Sequence, residues 1–139
     1  MAPYLFAQAL RKGQPLKLFG HGQPRRDFTY IDDAVNAVAR LVQSPLALPL
    51  PEVLNIGLSQ PVRVLEFVKV LEDLVGRPAL LEMLPLPPDD VGYTCADDRL
   101  LSRVIGPMDR TALQDGLLAL VRWLQVYDPV DACQPVSTS

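Results

Sequence analysis

Two adjacent arginines, Arg25 and Arg26, follow a glycine turn and precede Asp27 and a short aromatic stretch. A guanidinium held where a strand begins can bind a phosphate through two parallel hydrogen bonds. The alternative is structural: one arginine is solvated, and the other forms an ion pair with Asp27 or with the C-terminus of a nearby helix. On spacing alone, the structural alternative is favoured.

The other reactive side chains give weaker patterns. His21 is the only histidine, and without a nearby nucleophile or second metal ligand it is expected at the surface. The glycines at 20 and 22 do not form a dinucleotide fingerprint, because Arg25 occupies the place of the third glycine and a strand is expected to follow. Cys95 and Cys133 lie far apart in sequence, so neither a disulfide framework nor a zinc site is predicted.

Three acidic pairs, at 32–33, 89–90 and 97–98, are compatible with metal binding or with acid–base catalysis. Two of the pairs fall where helices are expected to begin, and helix capping explains those two. The pair Asp89 and Asp90 lies in a proline-rich loop, and its role stays open.

The composition indicates one compact domain. The chain has 139 residues, of which 49% are hydrophobic and 21% charged, and this excludes a disordered polyelectrolyte. Its net charge of −3 comes from interspersed acidic and basic residues, so neither nucleic acid nor a membrane surface is an expected partner. No apolar run approaches the ~20 residues that span a bilayer, and the basic residues follow the apolar N-terminus, unlike in a secretory signal. We expect a cytoplasmic protein.

Helices and strands are expected to alternate in the first half of the chain. In order, hydrophobic periodicity and turn residues predict a helix over 3–11, a strand over 16–19, a turn at 20–22, a strand over 28–31, a helix over 32–42, a proline-rich linker over 45–51 and a buried strand over 53–57.

The second half predicts three more helices and one strand. Ser59 is the expected N-cap of a helix that ends at Gly76, and a strand follows over 79–84. Asp97 is expected to cap a short helix over 98–105. Thr111 begins a capping-box pattern for a last helix that ends near 127, with Trp123 in the core. Residues 129–139 show no periodicity and are expected to form a frayed tail.

The stretch Arg-Asp-Phe-Thr-Tyr-Ile-Asp-Asp at 26–33, preceded by His21-Gly22, resembles the extended short-chain dehydrogenases that act on UDP-sugars. The branch that it resembles most is UDP-glucuronate 4-epimerase. Three further features occur in the same order: Leu-Asn-Ile-Gly at 54–57 followed by Pro-Val at 61–62, the loop over 88–97, and a terminal amphipathic helix. The resemblance covers about residues 1–128 and implies an α/β fold, the C-terminal substrate-binding lobe of a Rossmann-like NAD-dependent epimerase/dehydratase.

The resemblance also implies which residues contact the substrate. Arg26 corresponds to the arginine that contacts the diphosphate, which reverses the preference stated for it above. The other substrate-side positions are Lys17 and Phe19 beside the uracil, Phe28 in the same pocket, Asp90 near the ribose and Thr94 facing the sugar ring. The chain departs from the pattern at Pro87, where relatives have a further contact or a glutamine, and at Asp89, where a glycine is usual.

The family's catalytic motifs are not found in this sequence. Complete relatives have a glycine-rich turn that binds NAD and a Tyr-x-x-x-Lys pair that carries out proton and hydride transfer. None of the four tyrosines is followed four positions later by lysine, and Met1 corresponds to an interior position of the family. We therefore expect the N-terminal dinucleotide-binding half to be missing, with no catalytic, cofactor-binding or metal residue in this chain. A shortened gene product, a separately expressed domain or half of a split enzyme would all have this pattern.

The leading interpretation is a nucleotide-sugar-binding part of an epimerase that is catalytically incomplete by itself. One alternative is a split enzyme, an isomerase whose cofactor domain is a second chain of roughly 180 residues. The other is a noncatalytic interaction module. A strand over 53–56 without neighbours and an apolar helix over 32–42 would favour a homo-oligomer.

Overall fold

The computed structural model describes residues 2–43 and 53–127, which form an α/β fold as predicted. The linker over 45–51, the tail over 129–139 and Cys133 lie outside the described residues. The helices and strands in chain order are α1 (Ala2–Lys12), β1 (Pro15–Phe19), β2 (Arg25–Arg26), α2 (Ile31–Gln43), β3 (Val62–Arg63), α3 (Val64–Val75), β4 (Leu80–Leu84), α4 (Arg99–Ile105) and α5 (Leu113–Tyr127). A single 3-10 turn, Gly20–Gly22, joins β1 to β2.

Two small sheets organise the strands. β1 and β4 pair in parallel, with Pro15 opposite Leu80 and Phe19 opposite Leu84. β2 and β3 pair in antiparallel fashion, with Arg25 opposite Arg63. An isolated parallel bridge joins Arg25 to Tyr93 on the other side of β2. The two-residue strand β2 is therefore held from both edges.

The core lies among α1, α3, α5 and the buried side of β1. Phe67 of α3 is fully buried and is stacked against Phe28, with ring centroids 4.5 Å apart. Phe6 of α1 meets Phe67 edge to face at 6.0 Å. The remaining fully buried large side chains are aliphatic: Leu10, Leu18, Leu71, Leu101, Leu124 and Val68. The aromatic contacts thus link the 26–33 stretch directly to the core.

The helices confirm the periodicity, but their starts differ from the predictions. α3 begins at Val64 and not after Ser59, because Ser59 adopts a positive φ of 57° that a helix cannot continue. Its predicted end is confirmed: Gly76, with φ 71°, donates its N–H to the Glu72 carbonyl. The predicted capping box at Thr111 is wrong, since α5 begins at Leu113 and the Thr111 hydroxyl donates to Asp33.

Two strands predicted from short apolar runs, over 28–31 and 53–57, are absent from the structure. Residues 28–30 form no strand, and the Tyr30 carbonyl already accepts the Ala34 N–H at the start of α2. Residues 53–57 also form no strand. A strand is defined by its neighbours, and the described part of the chain places none beside either segment. The expected burial is also wrong in part: Ile31 is 65% and Val53 74% exposed, whereas Phe28, Leu54 and Ile56 are half-buried.

Trp123 was expected in the core, and this is wrong: its side chain is 47% exposed. The buried stripe of α5 consists of Leu117, Val121 and Leu124, at spacings of four and three residues. Trp123 lies beside that stripe and stacks on Tyr127, with ring centroids 5.2 Å apart.

Within residues 2–43 and 53–127, no helix has the length and apolar character needed to cross a bilayer.

The buried Phe67 should dominate the stability of this core. We expect Phe67→Ala to lower the free energy of unfolding by about 3–5 kcal/mol, because it removes a ring in contact with two others and leaves a cavity. Urea unfolding followed by circular dichroism measures the change. The matched control is Tyr127→Ala, an aromatic side chain that is 70% exposed, for which a change of about 0.5 kcal/mol is expected. Equal losses in the two variants would contradict this assignment of the core.

Candidate functional site

The short strand β2 directs its two arginines to opposite sides. Its backbone is fixed by hydrogen bonds from the Arg25 N–H to the Gly92 carbonyl at 2.9 Å and from the Thr94 N–H to the Arg25 carbonyl at 3.1 Å. Successive residues of a strand point to opposite faces. Accordingly, Arg25 is exposed, whereas Arg26 is half-buried and lines a cavity.

That cavity has a volume of about 350 Å³ and lies where β1, β2 and the 90–94 segment meet. It contains all six side chains that the resemblance selected as substrate contacts. Its lining residues are Ala2, Phe6, Lys17, Leu18, Phe19, Pro24, Arg26, Asp27, Phe28, Val64, Phe67, Asp90 and Thr94. The structure thus brings together the six substrate-side residues, which are up to 77 positions apart in sequence, from Lys17 to Thr94.

Arg26 is the positively charged centre of this cavity and is already engaged. Its Nη2 donates to Asp90 Oδ1 at 2.8 Å, and its Nη1 donates to the Arg25 carbonyl at 3.1 Å. An ion pair at Arg26 was one alternative of the sequence analysis, but the partner is Asp90 and not Asp27. A guanidinium has five N–H donors, so donors remain for a ligand oxygen.

Asp27 holds the walls of the cavity together. Its Oδ2 accepts hydrogen bonds from the Ala96 N–H at 2.9 Å and the Ser59 N–H at 3.0 Å, and its Oδ1 accepts one from the Gln60 N–H at 3.3 Å. Its own N–H donates to Thr94 Oγ1 at 3.3 Å. Hydrogen bonds to a carboxylate are stronger than neutral ones, so one side chain joins three segments that have no regular structure.

Close packing at Gly57 depends on the same carboxylate. A Cβ atom added at Gly57 would lie 2.2 Å from the Ala96 Cβ and 2.8 Å from Asp27 Oδ2. No side chain larger than hydrogen fits between these atoms. Sequence reasoning missed this role of Asp27; the available signal was an acidic residue beside an aromatic stretch that was expected to be buried.

Asp33, the last residue of the 26–33 stretch, makes a second cross-link. It is buried in the first turn of α2, and its two oxygens accept hydrogen bonds from the Thr111 N–H and the Thr111 hydroxyl, each at 2.8 Å. Nearby, Arg110 donates to the Gly57 carbonyl at 2.8 Å and to Asp98 Oδ2 at 2.6 Å. Asp33 therefore lies at a helix start as predicted, but its carboxylate ties α2 to the beginning of α5.

In the third acidic pair, Asp97 is exposed and Asp98 is half-buried. Asp97 accepts hydrogen bonds from the side chain and the backbone N–H of Arg99, which lower the pKa of its carboxyl to about 2. Asp98 is the N-cap residue of α4, so the helix begins one residue later than predicted. A hydrogen bond with the Cys95 thiol is the main cause that raises the pKa of the Tyr93 phenol. None of these five residues lines the cavity.

A second, more apolar cavity of about 440 Å³ adjoins the first and shares Phe28 and Phe67 with it. Its other walls come from Tyr30 and Ile31 and from the first turns of α5. It contains one charged side chain, Asp27, whose oxygens already accept three backbone hydrogen bonds. The smaller cavity, with its half-buried guanidinium, is the better candidate for a polar ligand.

The described residues do not fit NAD or a metal ion. The glycine turn Gly20–Gly22 leads into β2 and not into a helix, so it lacks the helix N-terminus that binds a pyrophosphate in dinucleotide-binding folds. Residues 2–43 and 53–127 also contain no group of three or more metal-ligating side chains. His21 is exposed in that turn with φ 53°.

Comparison with known proteins relates the chain to one family. Residues 1–57 match the NAD dependent epimerase/dehydratase family. A relative from Rhizobium meliloti described as a probable UDP-glucuronate 4-epimerase is 35% identical over 139 aligned residues, covering 88% of this chain and 41% of that protein. The chain thus spans about two fifths of the length of the curated relatives that it matches.

Solved structures agree with this assignment. UDP-glucuronic acid 4-epimerase from Bacillus cereus, in complex with UDP-glucuronic acid and NAD, aligns with a TM-score of 0.82 and 29% identity, over 90% of this chain and 40% of that one. MoeE5 in complex with UDP-glucose and NAD aligns with a TM-score of 0.80 and 32% identity, over 90% of this chain and 41% of that one. Over residues 1–57 the chain therefore matches the NAD dependent epimerase/dehydratase family, and it has the α/β fold of part of these enzymes.

Proposed function

We propose that this chain is the C-terminal, substrate-side lobe of a UDP-sugar epimerase and that the 350 Å³ cavity binds the UDP part of the substrate. The observation that carries this proposal is the convergence of the six substrate-side residues on one cavity. Solved relatives with the same fold are complexes with UDP-glucuronic acid or UDP-glucose, which supports the choice of ligand class.

The roles that we propose follow the position of each side chain. Lys17 and Phe19 lie on β1, at the side of the cavity where an aromatic ring can stack on uracil. Arg26 supplies the guanidinium for the diphosphate, since a forked donor matches two phosphate oxygens. Phe28 is fixed by its stack on Phe67.

The last two members belong to the 90–94 loop. Asp90, beside Arg26, is near the ribose, and Thr94 faces the sugar ring in this proposal. Thr94 is positioned from both sides, because its N–H bonds to Arg25 and its hydroxyl accepts from Asp27.

The chemical step requires groups that we propose to come from a cofactor-binding half. The sequence has no Tyr-x-x-x-Lys pair, and the described residues do not fit NAD. That half would be covalently joined in a longer polypeptide, or supplied by a second chain in a split enzyme. In either case this chain provides substrate binding and not hydride transfer.

An exposed apolar face on α2 favours an association role as a second function. Ile31, Val35, Val38 and Val42 are between 50% and 82% exposed, and their spacing puts them on one side of the helix. Val53, near the same helix in sequence, is also exposed. We propose that α2 and the 53–56 segment form a homo-oligomeric contact, or the contact to a cofactor-domain chain.

The isolated chain is expected neither to retain NAD nor to interconvert UDP-glucuronate and UDP-galacturonate. The reason is the absence of a dinucleotide turn among the described residues and of the Tyr-x-x-x-Lys pair from the whole sequence. Cofactor absorbance after denaturation and chromatography of sugar nucleotides provide the measurement. Released NAD, or an epimerised product, would refute the proposal of an incomplete enzyme.

UDP binding should depend on Arg26. Loss of a charge-assisted, forked contact costs on the order of 1.5–3 kcal/mol, so Arg26→Ala should weaken UDP binding about ten- to a hundredfold in titration calorimetry. Arg25→Ala is the matched control, because this substitution removes the same charge from the opposite face of β2. It should change the affinity for UDP little. Equal UDP affinities of wild type and Arg26→Ala would show that Arg26 does not contribute to UDP binding.

The α2 face should mediate a two-fold dimer at micromolar concentration. Val35→Asp puts a charge in the middle of that apolar face and should shift the protein to monomer in light scattering. The control is Val126→Asp, because Val126 is an exposed valine on α5 that lies outside the proposed contact. A wild-type monomer would contradict the association. Dissociation by Val126→Asp but not by Val35→Asp would assign the dimer contact to α5.

A further inference from the structure

The guanidinium that we propose for the diphosphate is already bound to a carboxylate. Arg26 Nη2 lies 2.8 Å from Asp90 Oδ1, and both side chains are partly exposed at the cavity. The Asp90 carboxylate accepts no other hydrogen bond from the described residues, whereas Arg26 is also held by the Arg25 carbonyl. An incoming phosphate must therefore share Arg26 with Asp90 or displace it.

The charges around the cavity make this competition important. Lys17 and Arg26 line it on the positive side, and Asp27 and Asp90 on the negative side, so the formal charges balance. The Asp27 carboxylate is engaged by three backbone N–H groups, which stabilise its charge in place. Among the described residues, the Asp90 carboxylate accepts its one hydrogen bond from Arg26, so its charge would repel the phosphates of a ligand bound to that arginine.

We propose that Asp90 is a specificity-determining residue that sets the cavity's preference for ligand charge, by occupying Arg26 and repelling phosphate. This inference rests on the proposed UDP-binding function and adds the direction in which Asp90 changes the affinity for UDP. A ribose contact alone would make Asp90 favourable for uridine and UDP alike. If Asp90 selects ligand charge, its carboxylate lowers the affinity for UDP. The affinity for uridine is unaffected, because uridine carries no phosphate.

The experiment compares two substitutions that remove the same charge from adjacent positions. Asp90→Asn keeps the shape and hydrogen-bonding capacity of the side chain, and it frees Arg26 from its ion pair. Asp89→Asn is the control, since Asp89 is exposed in the same loop and does not line the cavity. Titration calorimetry of both variants and wild type with UDP and with uridine gives four affinity ratios, and circular dichroism confirms that each variant is folded.

We expect Asp90→Asn to tighten UDP binding about three- to fivefold, the size of an exposed ion-pair contribution. Its uridine affinity and both affinities of Asp89→Asn should stay within about 1.5-fold of wild type, a change at the lower end of that ion-pair range. Unchanged or weaker UDP binding in Asp90→Asn would overturn charge selection and leave the binding function intact. A wild-type chain that binds neither UDP nor uridine would overturn the binding function itself. Equal gains in the two variants would assign the effect to net charge and overturn the role of Asp90.

Discussion

The carboxylate of Asp27 is the interaction on which the rest of the structure depends. The segments at 57–60 and 94–97 form neither helix nor strand, so their backbone donors need partners from elsewhere. Asp27 accepts three of those N–H groups, across sequence separations of 32, 33 and 69 residues. The backbone of Arg25 already holds residues 92–94 beside β2, and the Asp27 carboxylate adds residues 59, 60 and 96 to the same junction. The candidate site is thus built on a local electrostatic contact more than on a continuous sheet.

Fold and site share the 26–33 stretch, which explains its density of polar and aromatic residues. Arg26 faces the cavity, Asp27 fixes the loops, Phe28 joins the core, and Asp33 ties α2 to α5. Each of these contacts reaches a different part of the chain. A substitution here changes architecture and ligand binding together, so a lost function cannot be assigned to chemistry unless folding is measured as well.

Sequence patterns predicted the helices and strands whose signal comes from residues close together in the sequence. The amphipathic helices α1, α2, α3 and α5 and the strands β1 and β4 followed from periodicity and turn residues, because three- and four-residue spacing reports a helix face directly. Periodicity did not predict the absence of strands at 28–31 and 53–57 or the exposure of Trp123. These features depend on which other segments pack beside them, and periodicity carries no information about that. For the site, residue types alone favoured an ion pair at one of the two arginines, and it was the family resemblance that selected the six cavity residues. Asp33 illustrates the limit, since its partner Thr111 is 78 positions away.

The two arginines of β2 have a consequence for insertions and deletions in the turn before them. Shifting a strand by one residue exchanges its two faces, and here the exchange would bring Arg25 into the cavity in place of Arg26. The positive charge of the site would survive such a slip, because the same side chain occurs at both positions. The carboxylate that follows has no such duplicate: it would leave the backbone donors of 59, 60 and 96 behind. It is therefore the aspartate, and not the arginine, that fixes the alignment of this strand with its neighbours.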